Sequence, residues 1–328
     1  MTAFKTIKGV PVKTVAGGQP NAYPSPFEGE LFYDSDGAGA FKFVGAAGAG
    51  TWSSGGNLNT ARYRMQGGAG SLSAGVVMGG ATAPATAAVE EYDGTSFTTV
   101  EAYPAVQPDI GVCGVQTLAL CVGGGSGDGS NLTFEYDGTN FTTGGDYPTA
   151  ASRVAVCGVQ TSALAIGGQT PGSPTYVNNT FEYDGTAWTA GGDYPTVTVN
   201  GGASGTQTAA LKFGGGPGNL VATNTYNGTA FSTVSSMNVG KGEMGFSGNG
   251  TQTLSLAFKG APTTNSTESW DGTSWTEVND LATNRSSMGS FGTGTQAMSA
   301  GGTSPGTGTI ATTEEWAIPQ AVKTIDLS

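Results

Sequence analysis

The chain contains no histidine at all, so its chemistry would have to rest largely on carboxylates. That absence removes the commonest general base, the usual nitrogen ligand of copper and zinc, and the Ser-His and Cys-His nucleophile pairs. There remain 24 Asp and Glu against 12 Lys and Arg, including two adjacent pairs, Glu90-Glu91 and Glu314-Glu315. A carboxylate pair can hydrolyse a glycosidic bond, and Asp128 and Asp146 are further candidates for such work. Adjacent side chains on a strand point to opposite faces. Each Glu-Glu pair is therefore expected to send one carboxylate to a sheet interface and the other to solvent, and no residue is assigned a catalytic role. The loop Gly125-Ser126-Gly127-Asp128-Gly129-Ser130-Asn131 offers oxygens to a calcium ion but lacks a calcium-loop spacing, and reads as a solvated turn. No metal and no cofactor is expected.

Binding chemistry is better represented. Tyr103, Tyr147, Tyr176 and Tyr194, with Asp128, Asp146, Asn178 and Asp193, place flat amphipathic rings beside hydrogen-bonding groups, a composition suited to a sugar or a protein partner. The competing reading is that Tyr-Pro packs a loop down. Arg62, Arg153 and Arg285 recur early in three copies of a repeat and are expected near a common axis, in hydrogen-bonding rather than anion-binding roles. Cys113 and Cys157 occupy matched positions in neighbouring copies, and with Cys121 they read as small buried hydrophobes.

The elements positioning these residues come from one phrase written six times between about residue 50 and residue 316. Its clearest part is an aromatic, an Asp-Gly or Asn-Gly turn and a second aromatic, as in Tyr92-Asp93-Gly94-Thr95-Ser96-Phe97. The turn glycines stand at 94, 138, 185, 228 and 272, a period of about 44 that falls between the kelch and WD repeat lengths. Before each turn a small apolar run closes on glycine, as in Leu164-Ala165-Ile166-Gly167-Gly168. Six runs stand against five turns, because the last copy stops at Trp316 and the first begins in mid-phrase at Trp52. Joining residues 50–54 to about 310–318 completes a sixth unit, so the expected fold is an all-β, six-bladed propeller over 50–318. Within each blade a two-residue Asp-Gly hairpin is expected, with the flanking aromatics as diagonal neighbours packing between blades.

In this topology the short turns share one face. Loops 81–88, 125–131, 169–179, 216–223, 261–266 and 303–309, with the inter-blade connections, share the other. Residues 1–49 form an arm with a hairpin of Glu30–Tyr33 against Phe41–Val44, and 319–328 a tail; both are expected to dock on neighbouring subunits. The formal charge of −12, with scattered basic residues, argues against a nucleic-acid partner. No apolar run reaches membrane-span length, and the first residues lack the apolar core of a signal peptide, so synthesis in a cytosol is expected.

Apolar run, glycine pair, loop, and aromatics across a turn together resemble the kelch or galactose-oxidase-like propeller. The phrases Gly205-Thr206-Gln207-Thr208 and Gly250-Thr251-Gln252-Thr253, with Asn59-Thr60-Ala61-Arg62 and Phe27-Glu28-Gly29-Glu30-Leu31-Phe32-Tyr33-Asp34, more narrowly resemble kelch-like repeat proteins encoded by marine bacteriophages. The resemblance implies a virion location, a non-enzymatic tail or tail-fibre role, attachment to other virion proteins through 1–49, several copies per particle, and host glycan or protein contact through the loop face. A carbohydrate-binding module and a glycoside hydrolase stay open as alternatives. Asn227 for the turn Asp and Lys259 in the glycine pair depart from the pattern, so those blades are expected to be looser or to carry a contact of their own.

Overall fold

Each repeat forms one four-stranded antiparallel meander, and there are six of them. The computed structural model describes residues 50–125, 129–172, 175–260 and 264–325, with short strands at 6–7, 10–11, 13–15, 31–34 and 41–46. Two compact units emerge, Thr51–Ala317 and a terminal unit of Met1–Gly50 with Ile318–Ser328. In the propeller, blade two runs Gly111–Val115, Leu118–Val122, Thr133–Tyr136 and Phe141–Thr143 from the axis outward. Its second strand is buried from Ala119 to Val122 because both of its faces meet neighbouring blades.

Blade six closes the ring as the sequence requires. Its inner three strands are Gly289–Gly292, Gln296–Ala300 and Thr313–Ala317, and its outer strand is Thr51–Ser54, paired with Trp52 opposite Trp316. Their rings lie 5.5 Å apart, so this pair replaces the missing aromatic turn.

Two local expectations are corrected. The flanking aromatics are directly opposed rather than diagonal, as with Tyr136 and Phe141, whose ring centroids are 4.6 Å apart. The turn between them has four residues, with positive φ at Gly138 (91°) but not at Asp137. The Asp137 carboxylate instead accepts the amides of Thr139 and Asn140 at 2.8 and 2.6 Å, an Asx turn. These amides hold the exposed turn aspartates below the usual carboxylate range, Asp271 at about 2. Asn227 accepts the matching amides at 3.0 and 2.9 Å, so its turn keeps the same form.

Three kinds of contact join successive blades. The phenolic OH of Tyr136, Tyr183 and Tyr226 donates to Glu91, Glu135 and Glu182 of the preceding blade at 3.0, 2.7 and 2.7 Å, and Tyr92 does the same to Glu315. Where the next blade offers Trp270 or Trp316, the carboxylate position holds Thr225 or Ser269. Four turn glutamines, Gln116, Gln160, Gln207 and Gln252, each staple two preceding-blade carbonyls; Gln160 donates to Ala119 O and Tyr136 O at 3.1 and 2.9 Å. Finally, Trp188, Trp275 and Trp52 donate Nε1 to Thr133, Thr223 and Thr267 one blade back.

In the terminal unit, Leu31–Asp34 pairs antiparallel with Phe41–Ala46, Tyr33 opposite Phe41, and Lys13–Val15 adds a parallel strand. The tail strand Gln320–Ile325 pairs with Phe41–Ala46, so the tail belongs to the same sheet as the arm's hairpin.

Candidate functional site

The residues proposed for binding are not brought together. Tyr103, Tyr147 and Tyr194 are buried at blade junctions, which corrects the expectation of surface rings. Tyr147 packs edge-on against Phe181 and Trp188 at 5.2 and 5.1 Å, and Tyr103 does likewise against Phe134 and Phe141. The Tyr194 OH donates to Asn224 Oδ1 at 2.8 Å. Asp146 and Asp193 are exposed on the loop-face rim, and Asn178 donates to the Tyr194 carbonyl at 2.9 Å. Tyr176 is half-buried on a strand, Thr175–Tyr183, that extends with Ser162–Thr170 as a hairpin where an irregular loop was expected. Asp128 lies outside the described residues.

The inner member of each Glu-Glu pair is structural. Glu90 accepts the amides of Asn59 and Thr60 at 2.6 and 3.3 Å and pairs with Arg62 at 3.3 Å. Glu314 does the same for Ala282, Thr283 and Arg285, and Glu268 for Asn238, Val239 and Lys241. Burial pulls the Arg62 guanidinium down to about 10 against the opposing pull of Glu90. Blades two and three fill the equivalent space with the aromatic contacts of Tyr103 and Tyr147. The three cysteines are free and buried, and burial raises their thiols, that of Cys157 to about 12.

A different set of residues does converge. Arg64, Asp109, Arg153, Asn200, Glu243 and Ser287 each stand six residues after a buried connection residue (Leu58, Tyr103, Tyr147, Tyr194, Met237, Leu281), one per blade. All six adopt left-handed backbone, with φ from 50° to 59°. Such φ is uncommon for a side chain other than glycine, and it is held here by inter-blade amides. Asp109 N donates to Arg64 O, Arg153 N to Asp109 O, Asn200 N to Arg153 O and Ser287 N to Glu243 O, at 2.8 to 3.2 Å. The six side chains line one cavity, with Met65, Gln66 and Met244 beneath them. Its volume is about 20 Å³, room for about one water.

Within this axial ring, Asp109 Oδ2 accepts Arg153 Nε at 3.1 Å and Arg64 Nε at 3.0 Å, with Arg64 Nη2 on the same oxygen. Ser287 Oγ donates to Glu243 Oε2 at 2.7 Å. Of the three arginines expected near the axis only Arg153 is there; Arg62 and Arg285 lie two positions earlier in the repeat, inside the ion pairs. The six ring members share an offset from the buried connection residue, which is the Tyr of Tyr-Pro in three copies and Leu58, Met237 or Leu281 in the others. At the short-turn end the channel is plugged by Asn249, whose side chain accepts from Gly70 N at 3.1 Å and donates to Gly114 O at 2.6 Å across the axis.

The loop-face mouth is the one place where the propeller shows positive charge. Seven of the 12 basic and 19 of the 24 acidic residues lie between 51 and 317, so this unit carries the full −12. Five of those seven, Arg62, Lys212, Lys241, Lys259 and Arg285, are buried, leaving Arg64 and Arg153 as the partly exposed cations.

No family model and no curated protein matches the sequence. Among solved structures, one titled "Structure of YjhT" is similar, with a TM-score of 0.65 at 11% identity over 81% of this chain and 99% of that one. At that identity the likeness establishes the six-bladed propeller fold alone.

Proposed function

We propose that this chain is a non-enzymatic structural protein of a bacteriophage particle, part of the tail or a tail fibre, that presents its loop face for host attachment or assembly contacts. Residues 1–49 join it to other virion proteins. The observation that carries the non-enzymatic part is the engagement of the buried carboxylates: Glu90, Glu268 and Glu314 each hold two backbone amides and one cation. In that state their oxygens are taken up by structural contacts inside the blades. The virion part rests on the repeat wording that resembles kelch-like phage proteins. A rigid ring with variable loops on one face suits recognition.

Immunogold labelling of purified particles with antibody to residues 51–317 tests the location: label on the tail supports the proposal, and label confined to the particle-free lysate overturns it. Deleting residues 1–45 should abolish incorporation. A glycan array with a parallel hydrolysis assay tests the chemistry, and turnover of any glycan would exclude the non-enzymatic reading. In that array Tyr147→Ala and Tyr194→Ala would report packing, since both rings are internal; Tyr176→Ala and Asp193→Ala probe the surface.

A further inference from the structure

The geometry points to the axial ring as a receptor for a zwitterionic α-amino carboxylate group, whether free or carried on the end of a larger molecule. This deepens the loop-face reading by giving that face a ligand class.

Three consecutive ring positions leave polar capacity unused. Arg153 engages Asp109 through Nε, and its two Nη groups have no partner among the described residues. Among the described residues the Asn200 amide has none, and Glu243 accepts one hydrogen bond, from Ser287 on Oε2, while it also faces the charge of the Arg64 guanidinium. Cation, amide and anion thus follow one another round one arc of a single cavity open to the loop face. Unsatisfied donors and acceptors facing a small cavity define what would satisfy them.

Charge narrows the choice. The propeller carries −12 and repels a free anion at long range. A simple cation meets Arg64 and Arg153 at the mouth. A ligand that is neutral overall, with carboxylate and ammonium on one carbon, avoids both penalties. Its carboxylate takes the Arg153 Nη groups, its ammonium takes Glu243, and Asn200 bridges the two. The enclosed space takes about one water-sized group, such as the ammonium, so the rest of the headgroup and any substituent sit at the mouth among the loops. At the left-handed glycines that end the second strands, Gly79, Gly123, Gly167, Gly214 and Gly301, an added Cβ would stand 2.4 to 2.8 Å from a backbone carbonyl oxygen, so no side chain fits there. The axial positions keep polar side chains instead.

The test is calorimetry on the full chain with glycine, acetate, ethylamine and Nε-acetyllysine as probes. Glycine should bind at least about tenfold more tightly than acetate or ethylamine. Arg153→Gln and Glu243→Gln should each weaken glycine by about tenfold or more, with thermal unfolding confirming that both variants fold. Nε-acetyllysine binding more tightly than glycine would identify a headgroup displayed on a larger molecule; equal binding would identify the free amino acid. No heat with glycine or Nε-acetyllysine at tens of millimolar, or acetate binding as well as glycine, overturns the inference. Should an Arg153 or Glu243 variant fail to fold, Asn200→Asp serves: it places a second anion beside the carboxylate subsite and should weaken glycine while sparing ethylamine. Particle incorporation is read separately, so absence from particles with glycine binding intact would sink the virion role and leave this site standing.

Discussion

Lys212 shows how much a single side chain can matter. It is fully buried in the second strand of blade four, donating to the carbonyls of Phe213 and Gly214 at 3.4 and 3.1 Å, with its ammonium 5.3 Å from the centre of the Tyr194 ring. The carboxylate that blades one, five and six place nearby is Asn224 in this blade. Burial pulls the amine down to about 7. In the unfolded chain it titrates near 10.4, so between these values the unfolded state binds the extra proton. Stability therefore climbs with pH from about 7 to about 10, and below about 7 the whole penalty, on the order of 4 kcal/mol, is present. Urea unfolding at pH 7 and pH 9 should show that slope, and Lys212→Met should flatten it and raise the pH 7 midpoint; an unchanged slope would refute the assignment. Glu314 makes the opposite case. Glu314→Gln should cost about 3–5 kcal/mol by leaving Arg285 buried without its anion, whereas Arg285→Met with Glu314→Leu should lie much closer to the parent.

Among the elements, the glutamine turns are the ones whose purpose the sequence hid. Gln160→Ala strips hydrogen bonds from the carbonyls of Ala119 and Tyr136 in the preceding blade, and should cost about 1–3 kcal/mol in chemical denaturation. Glutamine at an exposed-looking turn carries no sign of its partner, because that partner lies one blade away. The strands and the aromatic turns were legible, since alternation and Asp-Gly are local signals. The turn's length was not, because Asp137 replaces positive φ with side-chain acceptance, which local wording does not distinguish. Tyr-Pro was ambiguous for a similar reason: whether the ring of Tyr147 faces water or Phe181 is decided by tertiary packing. The axial ring is not legible in the sequence because its six members differ in type and share only an offset from the buried connection residue. Lys259 takes the left-handed backbone of a glycine, φ 41°, in blade five, and nothing in the structure explains why a lysine stands there.

For the whole molecule, charge and closure dominate. With its basic residues buried or gathered at the axis, the propeller faces solvent as an unrelieved anion, and self-repulsion opposes compaction. Raising NaCl from about 0.05 to about 0.5 M, which shortens the screening length from about 14 to about 4 Å, should increase the thermal midpoint; a midpoint that falls would show that the buried ion pairs outweigh the surface. Trp52→Ala should weaken the last blade and the ring together, giving one cooperative transition at lower denaturant rather than a separate early step, because each blade's buried faces depend on both neighbours. The pairing of Thr51–Ser54 with Thr313–Ala317 also has a consequence for biosynthesis. The strand that finishes the circle leaves the ribosome before its mate has been translated, so a nascent chain carries an orphan ribbon at one end and an open sheet edge at the other. Pairings this distant in sequence form slowly, and exposed edges recruit other chains. Crowded synthesis should therefore yield swapped dimers, in which the early ribbon of one polypeptide caps the unfinished wheel of the next.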